Sequence, residues 1–306
     1  MELSVIIPIY NEEENISLLH HRLTKVLNEM DSGYELIFVN DGSHDDSMQL
    51  VQQLAKENAY VKYIDLSRNF GHQIAVMAGL DHAQGAATII IDADLQDPPE
   101  LIPEMVAKWK EGYEVVYAKR KSRKGESAMK KWTAKLFYRI LRKLTDFDIP
   151  VDVGDFRIID QKIVEVLRNM PERSKYLRGQ IAWVGFKQTY VTYNREERHA
   201  GETGYSIKKM LDLAMNAVTG FSEAPLRLVT YMGIMVTVFS LLTMMYTLIS
   251  RLLTDSYVEG WASLMVSILF LGGVQMIAIG ILGEYIGRIY RDIRQRPLYI
   301  VKDTNF

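Results

Sequence analysis

The 306-residue chain contains no cysteine. Disulfides and thiolate metal ligands are therefore excluded, and the absence agrees with a domain facing the cytosol. No G-x-G-x-x-G follows the first apolar run, which speaks against a dinucleotide enzyme, and no G-x-x-x-x-G-K-[ST] occurs to cradle phosphates with backbone alone. Neither sign of charge is in excess: 36 Lys and Arg stand against 38 Asp and Glu, for a net charge of −2. The start, Met1-Glu2-Leu3-Ser4, has no basic region and its apolar run is short, so no signal peptide is expected. Internal repeats and low-complexity linkers are missing too. With 48% hydrophobic residues, the chain has room for one large globular domain and an apolar hairpin.

What is present begins with alternation. Apolar runs at 3–9, 34–39, 61–66, 87–91 and 114–118 each end in polar loops, and helical patterns at 15–29, 46–58, 72–84 and 100–111 separate them. That order predicts an α/β fold, a Rossmann-like, mostly parallel sheet whose strands deliver their carboxyl ends to one edge. Ligands bind in the crevice beyond such an edge. Asp41, Asp92, Asp94 and Arg120 fall there.

Asp92 and Asp94 follow the fourth run, ahead of Leu95-Gln96-Asp97-Pro98-Pro99. At the mouth of a strand both carboxylates can turn toward one hard cation, although a D-x-D before proline also reads as an Asp-rich turn. A pyrophosphate is the matching ligand: Mg2+ or Mn2+ held by one or two carboxylates bridges its oxygens. Asp41 sits in a tight Asn-Asp-Gly-Ser turn, where turn chemistry alone is the competing reading. There Ser43 is expected to cap the next helix, with Asp46 at the third position.

The second half is different in kind. No charged residue occurs from 228 to 250 or from 260 to 283. Each run exceeds the roughly 20 apolar residues needed to cross a ~30 Å hydrocarbon core, so two transmembrane helices are expected. Asp255 and Glu259 lie between them, whereas Arg288, Arg291, Arg294 and Arg296 follow, which puts both termini in the cytosol by the positive-inside rule. The expected organisation is a catalytic domain over 1–205, an amphipathic juxtamembrane segment over 206–225, two helices within 226–287 and a basic cytosolic tail over 288–306. Between Lys119 and Lys143 the chain carries a dense run of Lys and Arg against a single acid, Glu126. The pattern at 127–144 is a basic amphipathic helix, which fits anionic lipid headgroups better than nucleic acid once two spans are present. A solvated basic face is the plainer alternative.

Taken together, Val5-Ile6-Ile7-Pro8-Ile9-Tyr10-Asn11-Glu12, Val39-Asn40-Asp41-Gly42-Ser43, Asp92-Ala93-Asp94-Leu95-Gln96-Asp97-Pro98-Pro99 and Gly154-Asp155-Phe156-Arg157 resemble glycosyltransferase family 2, and within it the polyprenyl-phosphate glycosyltransferases. The resemblance covers nearly the whole chain. It implies a GT-A fold and a metal-dependent hexosyltransferase that moves one sugar, with inversion, from a nucleotide sugar to polyprenyl (undecaprenyl) phosphate. Carried over residue by residue, it implies nucleotide-sugar contacts from Pro8, Tyr10, Glu12, Asp41, Asp92, Ala93 and Asp94. It further implies Mg2+ or Mn2+ on Asp92, Asp94 and Gln96, and lipid-phosphate contacts from Arg120, Lys131 and Arg198. Asp94 and Asp155 are the implied catalytic residues.

Asp155 is the family's usual candidate base. A phosphate monoester, with its second pKa of about 6, is already largely ionised at neutral pH. Asp155 is therefore expected to orient the sugar hydroxyls or a basic residue. The Leu-Gln-Asp-Pro-Pro form resembles the glucosyl-type members, which makes UDP-glucose the first expected donor, ahead of a UDP-N-acetylhexosamine or GDP-mannose. The bilayer, a second copy of the chain packed through glycine-rich spans, a flippase and a downstream membrane glycosyltransferase are the implied partners. Two alternatives weigh less. A processive polysaccharide synthase predicts a Gln-x-x-Arg-Trp motif, which is missing, and a non-catalytic membrane scaffold predicts erosion of the acidic motifs, which are intact.

Overall fold

A computed structural model describes residues 1–30, 32–121, 153–194, 222–253 and 260–306. Lys131 and Arg198 lie outside the described residues, as do the basic segment 127–144, the loop at 195–206 and the segment 207–221. Eight strands form one sheet: β1 (Leu3–Ile9), β2 (Tyr34–Asn40), β3 (Val61–Leu66), β4 (Ala87–Ile90), β5 (Val115–Arg120), β6 (Val153–Asp160), β7 (Gln188–Tyr193) and β8 (Val301–Thr304), in the order β7-β5-β6-β4-β1-β2-β3-β8.

β1 lies parallel to both β2 and β4, and β2 is parallel to β3. The crossovers are α1 (Glu13–Asn28), α2 (Ser47–Glu57) and α3 (His72–His82), and a single 3-10 turn at Pro99–Leu101 leads into α4 (Ile102–Lys110). All seven residues of both β1 and β2 are buried, as strands covered on two faces require. Side chains of alternating parity feed two cores: Val5, Ile7, Leu36 and Phe38 pack on one face of the sheet, and Ile6, Ile37 and Val39 on the other.

The sheet is a mostly parallel GT-A sheet with one insertion the alternating pattern did not announce. β6 slots between β4 and β5 and runs antiparallel to both. Its first residues therefore arrive at the edge where β1 to β5 end. The register pairs Ile90 with Arg157, so Asp155 is brought opposite the chain leaving β4 at Asp92.

Pro8 shows how the crevice opens. Ile6 accepts its hydrogen bond from Ile91 N on the β4 side, whereas Ile9 accepts from Asp41 N on the β2 side. Backbone groups alternate along a strand, so Pro8, two residues after Ile6, aims its missing N–H at β4. The β1–β4 ladder has ended at the Ile6–Ile90 pair. Proline is tolerated inside a central strand because nothing remains there to pair.

After β6 come α5 (Gln161–Asn169) and α6 (Leu177–Trp183), and then β7. Two long helices follow: α7 (Ala224–Leu253) has 30 residues and α8 (Trp261–Ile293) has 33, about 45 and 50 Å at 1.5 Å per residue. Each contains a stretch long and apolar enough to cross a membrane, Ala224–Thr243 and Phe270–Ile293, and neither stretch is buried by the rest of the chain. α8 runs about 15 Å past the charge-free segment. There Asp292 Oδ1 accepts from Arg173 N at 2.9 Å. The residues after it belong to the segment expected as a basic tail. They turn back, and β8 adds antiparallel to β3.

Candidate active site

Four loops meet at the carboxyl edge. The β1 loop turns at Asn11, left-handed at φ 55°, and its side chain accepts from His44 N at 2.8 Å. Ser43 does not cap α2, contrary to expectation. Its Oγ accepts from Asn11 N at 3.0 Å, and α2 begins later, at Ser47, whose N–H is taken by Asp45 Oδ1 at 3.1 Å. The β1 and β2 loops are thereby cross-linked. Together with the start of α1 they border a cavity of about 410 Å³ lined by Asn11, Glu12, Glu13, Glu14, Asn15, His44 and Asp45. Tyr10, exposed, meets His44 edge-on at its rim, ring centroids 6.4 Å apart.

Asp41 points under the floor of the site. Its two carboxylate oxygens accept from Phe70 N at 2.7 Å and Gly71 N at 2.9 Å, clamping the loop that leads into α3. Burial raises its pKa, and the two amide donors pull the other way. Gly42 makes the clamp sterically possible: at φ 71°, a Cβ there would lie 2.6 Å from the backbone of Arg68 and Asn69.

That clamp delivers His72, the first residue of α3, to the centre of the edge. His72 Nε2 is 3.2 Å from Asp155 Oδ2 and 3.6 Å from Asp92 Oδ1. Burial opposes a charge on this imidazole, and so does a helix N-terminus, yet the carboxylates of Asp92 and Asp155 push its pKa up to about 9. The side chain keeps 39% exposure, so water screens part of this pull, and what stands is its direction, which favours the charged imidazole.

Asp155 is the best-held carboxylate of the site. Arg178, on α6, grips it with both prongs, Nε to Oδ1 at 2.8 Å and Nη2 to Oδ2 at 3.1 Å. Arg157 Nη2 lies 3.5 Å from the same Oδ1 and donates to Gly154 O at 2.8 Å. Burial alone would raise the Asp155 pKa; Arg178 and His72 overcome it and hold the group well below the usual carboxylate range. Asp92 has the reverse balance. Burial and the nearby charges of Asp155, Asp97 and Asp94 push it up to about 6, with His72 pulling down. Its Oδ1 is buried with no hydrogen-bond partner.

The loop after β4 is strained around these groups. Leu95 is left-handed at φ 59°, costly for a branched side chain, yet it is buried in the core. The kink lets Asp94 Oδ1 accept from Gln96 N at 3.2 Å, and Ala93 packs into the core below. Asp97 accepts a short hydrogen bond from Tyr193 on β7, and Arg120, at the end of β5, donates to that hydroxyl at 3.4 Å. Gly154 faces this cluster, since a Cβ there would stand 3.2 Å from Arg120 Nη2.

Of the residues expected at the site, the fold brings Asp41, Asp92, Asp94, Gln96, Arg120 and Asp155 to one edge, with Tyr10 and Glu12 on the neighbouring rim. Pro8 and Ala93 are buried beneath. Sequence reasoning missed His72 and Arg178. The strand-end rule that nominated Asp41 would have found His72 if applied to the loop after β3.

Among the described residues no three His, Asp or Glu side chains converge to hold a metal on their own. The donor set still suits Mg2+ or Mn2+, because such ions take one or two carboxylates and complete their shell with water and substrate phosphates. Asp92 offers a buried oxygen that accepts no hydrogen bond among crowded carboxylates, which is the electrostatic situation a cation relieves.

A parallel sheet whose edge gathers paired carboxylates and fixed cations beside a nucleoside-sized cavity, followed by two apolar helices, defines a class. Residues 4–168 match the glycosyl transferase family 2, and residues 224–289 match the GtrB C-terminal hairpin. The chain belongs to glycosyl transferase family 2. Over 99% of its length it is 51% identical to the uncharacterized glycosyltransferase YkcC of Bacillus subtilis (strain 168), covering 94% of that protein. It is 42% identical to the bactoprenol glucosyl transferase of Shigella phage SfV and 41% identical to the prophage bactoprenol glucosyl transferase homolog of Escherichia coli (strain K12), over 99% of each chain in both cases. Among solved structures it is similar to a glucosyl-3-phosphoglycerate synthase from Mycobacterium tuberculosis in complex with Mn2+ and UDP-glucose. There the identity is 17% and the TM-score 0.49, over 71% of this chain and 77% of that one.

Proposed function

We infer that this glycosyltransferase moves a single sugar from a nucleotide sugar to polyprenyl phosphate at the cytosolic face of the cell membrane, with inversion at the anomeric carbon. UDP-glucose is the first choice of donor, in line with the names of the Shigella phage and Escherichia coli relatives; a UDP-N-acetylhexosamine or GDP-mannose follows. The observation that carries the reading is the buried oxygen of Asp92 that accepts no hydrogen bond and faces the His72–Asp155–Arg178 cluster at the edge where every parallel strand ends.

Asp92 and Asp94, with Gln96, would hold Mg2+ or Mn2+ against the donor diphosphate. When bound, the ion neutralises the charge that grows on the departing nucleoside diphosphate. The acid-lined cavity at Asn11, Glu12 and His44 repels phosphate but offers acceptors to ribose hydroxyls and base edges, so the uncharged end of the donor fits there. Tyr10 supplies an aromatic wall. Asp41 acts from beneath by holding the loop that carries His72.

An oxygen of the lipid phosphate attacks the anomeric carbon while the bond to the diphosphate breaks, and one displacement inverts the centre. No proton need be removed from the acceptor. Asp155 is correspondingly unsuited to be a base, because both its oxygens are occupied by Arg178 and His72. It is a positioning residue that fixes two cations in the crevice. Arg120, Lys131 and Arg198 supply the acceptor phosphate with positive charge, and the α7–α8 hairpin holds the domain where the lipid headgroup is.

The test is to incubate membranes containing the chain with labelled UDP-glucose, UDP-N-acetylglucosamine or GDP-mannose and with Mn2+. The expected product is chloroform-extractable label released by mild acid. Label in insoluble polymer would point to a processive synthase, and no transfer from any donor to a scaffold.

A further inference from the structure

The chain does not end at the second apolar helix. Tyr299 OH donates to Asp81 at 2.9 Å, Ile300 O accepts from Ser67 N at 2.9 Å, and β8 then pairs along β3. Asn305 accepts from Tyr63 N at 2.7 Å and donates to Val61 O at 3.1 Å, which fixes the register of the strand.

From this strand Lys302 Nζ reaches Asp65 Oδ2 at 3.1 Å. Asp65, the next-to-last residue of β3, has a side chain only 6% exposed, and its other oxygen accepts from Asn40 Nδ2 at 2.7 Å. Asn40 is thereby oriented so that its amide oxygen accepts from Ser43 N at 3.1 Å. Ser43 Oγ accepts from Asn11 N at 3.0 Å, and Asn11 Oδ1 accepts from His44 N at 2.8 Å. An unbroken polar path thus joins the strand behind α8 to both loops that border the cavity. A second, shorter path runs from Ile300 through Ser67 to the loop that Asp41 clamps and His72 leaves.

We propose that Lys302, on the C-terminal strand, is a positioning residue of the donor site, fixing the nucleoside-binding loops through Asp65 and Asn40. The proposal rests on the reading of that cavity as the donor's. Lys302 is 68% exposed, so its ion pair adds little to global stability. Its effect is local. It holds Asp65 in the geometry that selects one of the two amide orientations of Asn40, and the other orientation would turn an N–H toward the Ser43 N–H. Because the strand follows α8 after residues 294–300, the segment that leaves the membrane hairpin is the one that reaches the donor loops.

The experiment measures binding of UDP and of GDP, each with Mn2+, to the full chain in detergent by calorimetry, alongside donor KM and kcat. Lys302→Met is expected to weaken nucleotide binding and raise donor KM about three- to tenfold while kcat at saturating donor and the melting temperature stay near wild type. Lys302→Arg should restore binding. Lys110→Met, which removes a similarly exposed lysine paired with Glu2 at 2.8 Å, should change neither. Unchanged nucleotide affinity in Lys302→Met, with wild type binding normally, would overturn the positioning role and leave the proposed function standing. Wild type that binds neither nucleotide would overturn both.

Discussion

At the scale of single residues, the site is a problem of charge arrangement. Asp155 is only 11% exposed in its side chain and is the common partner of Arg178, Arg157 and His72. Removing its charge leaves three cations facing one another. Breaking a buried pair from one side costs about 3–5 kcal/mol, so Asp155→Asn is expected to lower the melting temperature. It should also cut kcat about 100-fold through lost positioning. If the groups act as a unit, Arg178→Gln in the same background adds less than it does alone, with a coupling of about 1–3 kcal/mol. Wild-type turnover by Asp155→Asn at pH 7.5 would remove Asp155 from the mechanism altogether. The acidic members of this cluster were legible in the sequence because each ends an apolar run or sits in a short motif. His72 was within reach of the same strand-end rule but was not nominated, and Arg178 carried no such signal. They lie far apart in the chain, and only the insertion of β6 beside β4 and the packing of α6 bring them to the same carboxylate.

At the scale of elements, uninterrupted apolar runs could be read, whereas β6, although buried over its first seven residues, was missed because Asp155 and Arg157 break up its apolar pattern. β1 and β2 are buried throughout and stood out. β7 is half-exposed and β8 is almost wholly exposed, so neither carries an apolar pattern to detect. The α1–α2 contact offers an element-scale test. His20, on α1, receives Asn58 Nδ2 on its Nε2 at 3.3 Å, next to Thr24 Oγ1 at 3.3 Å. Asn58 can only donate here, so the ring must be neutral at Nε2 for the contact to hold. Burial lowers the His20 pKa, His21 adds to this, and Glu57 opposes it. A histidine that binds its proton less readily when folded contributes stability that is whole above its unfolded pKa of about 6.5 and is lost as pH falls below it. Wild type should therefore lose melting temperature between pH 7 and pH 5.5, and His20→Gln, whose amide oxygen can accept from Asn58 at any pH, should lose less. Equal slopes in the two proteins would show that His20 does not report on this interface.

At the scale of the whole molecule, the start of α7 is tied to α8, and the end of α8 is tied to the catalytic domain. Tyr285 OH donates to Ser222 O at 2.7 Å, Asp292 receives Arg173 N, and β8 closes the sheet. The end of α8 is consequently anchored to the sheet that carries the catalytic edge, which suits an enzyme whose acceptor phosphate is presented by a membrane. That both helices were visible in the sequence follows from the lack of charge over more than 20 residues in each; that the chain returns to β3 was invisible, because the return is made by polar side chains and backbone. The proposed orientation puts the catalytic domain and both termini in the cytosol. The chain has no cysteine, so a single introduced thiol reports on one position without background. Ser17 is exposed on α1, and Ser256 lies between the two apolar helices in sequence. In intact cells a membrane-impermeant maleimide should label Ser256→Cys and spare Ser17→Cys, which should react only after the membrane is opened. Labelling of Ser17→Cys in intact cells would invert the topology and take the site away from cytosolic nucleotide sugars. Labelling of neither in intact cells and of both after opening would mean the helices do not cross, leaving the domain held against the membrane surface by its apolar helices instead of through it.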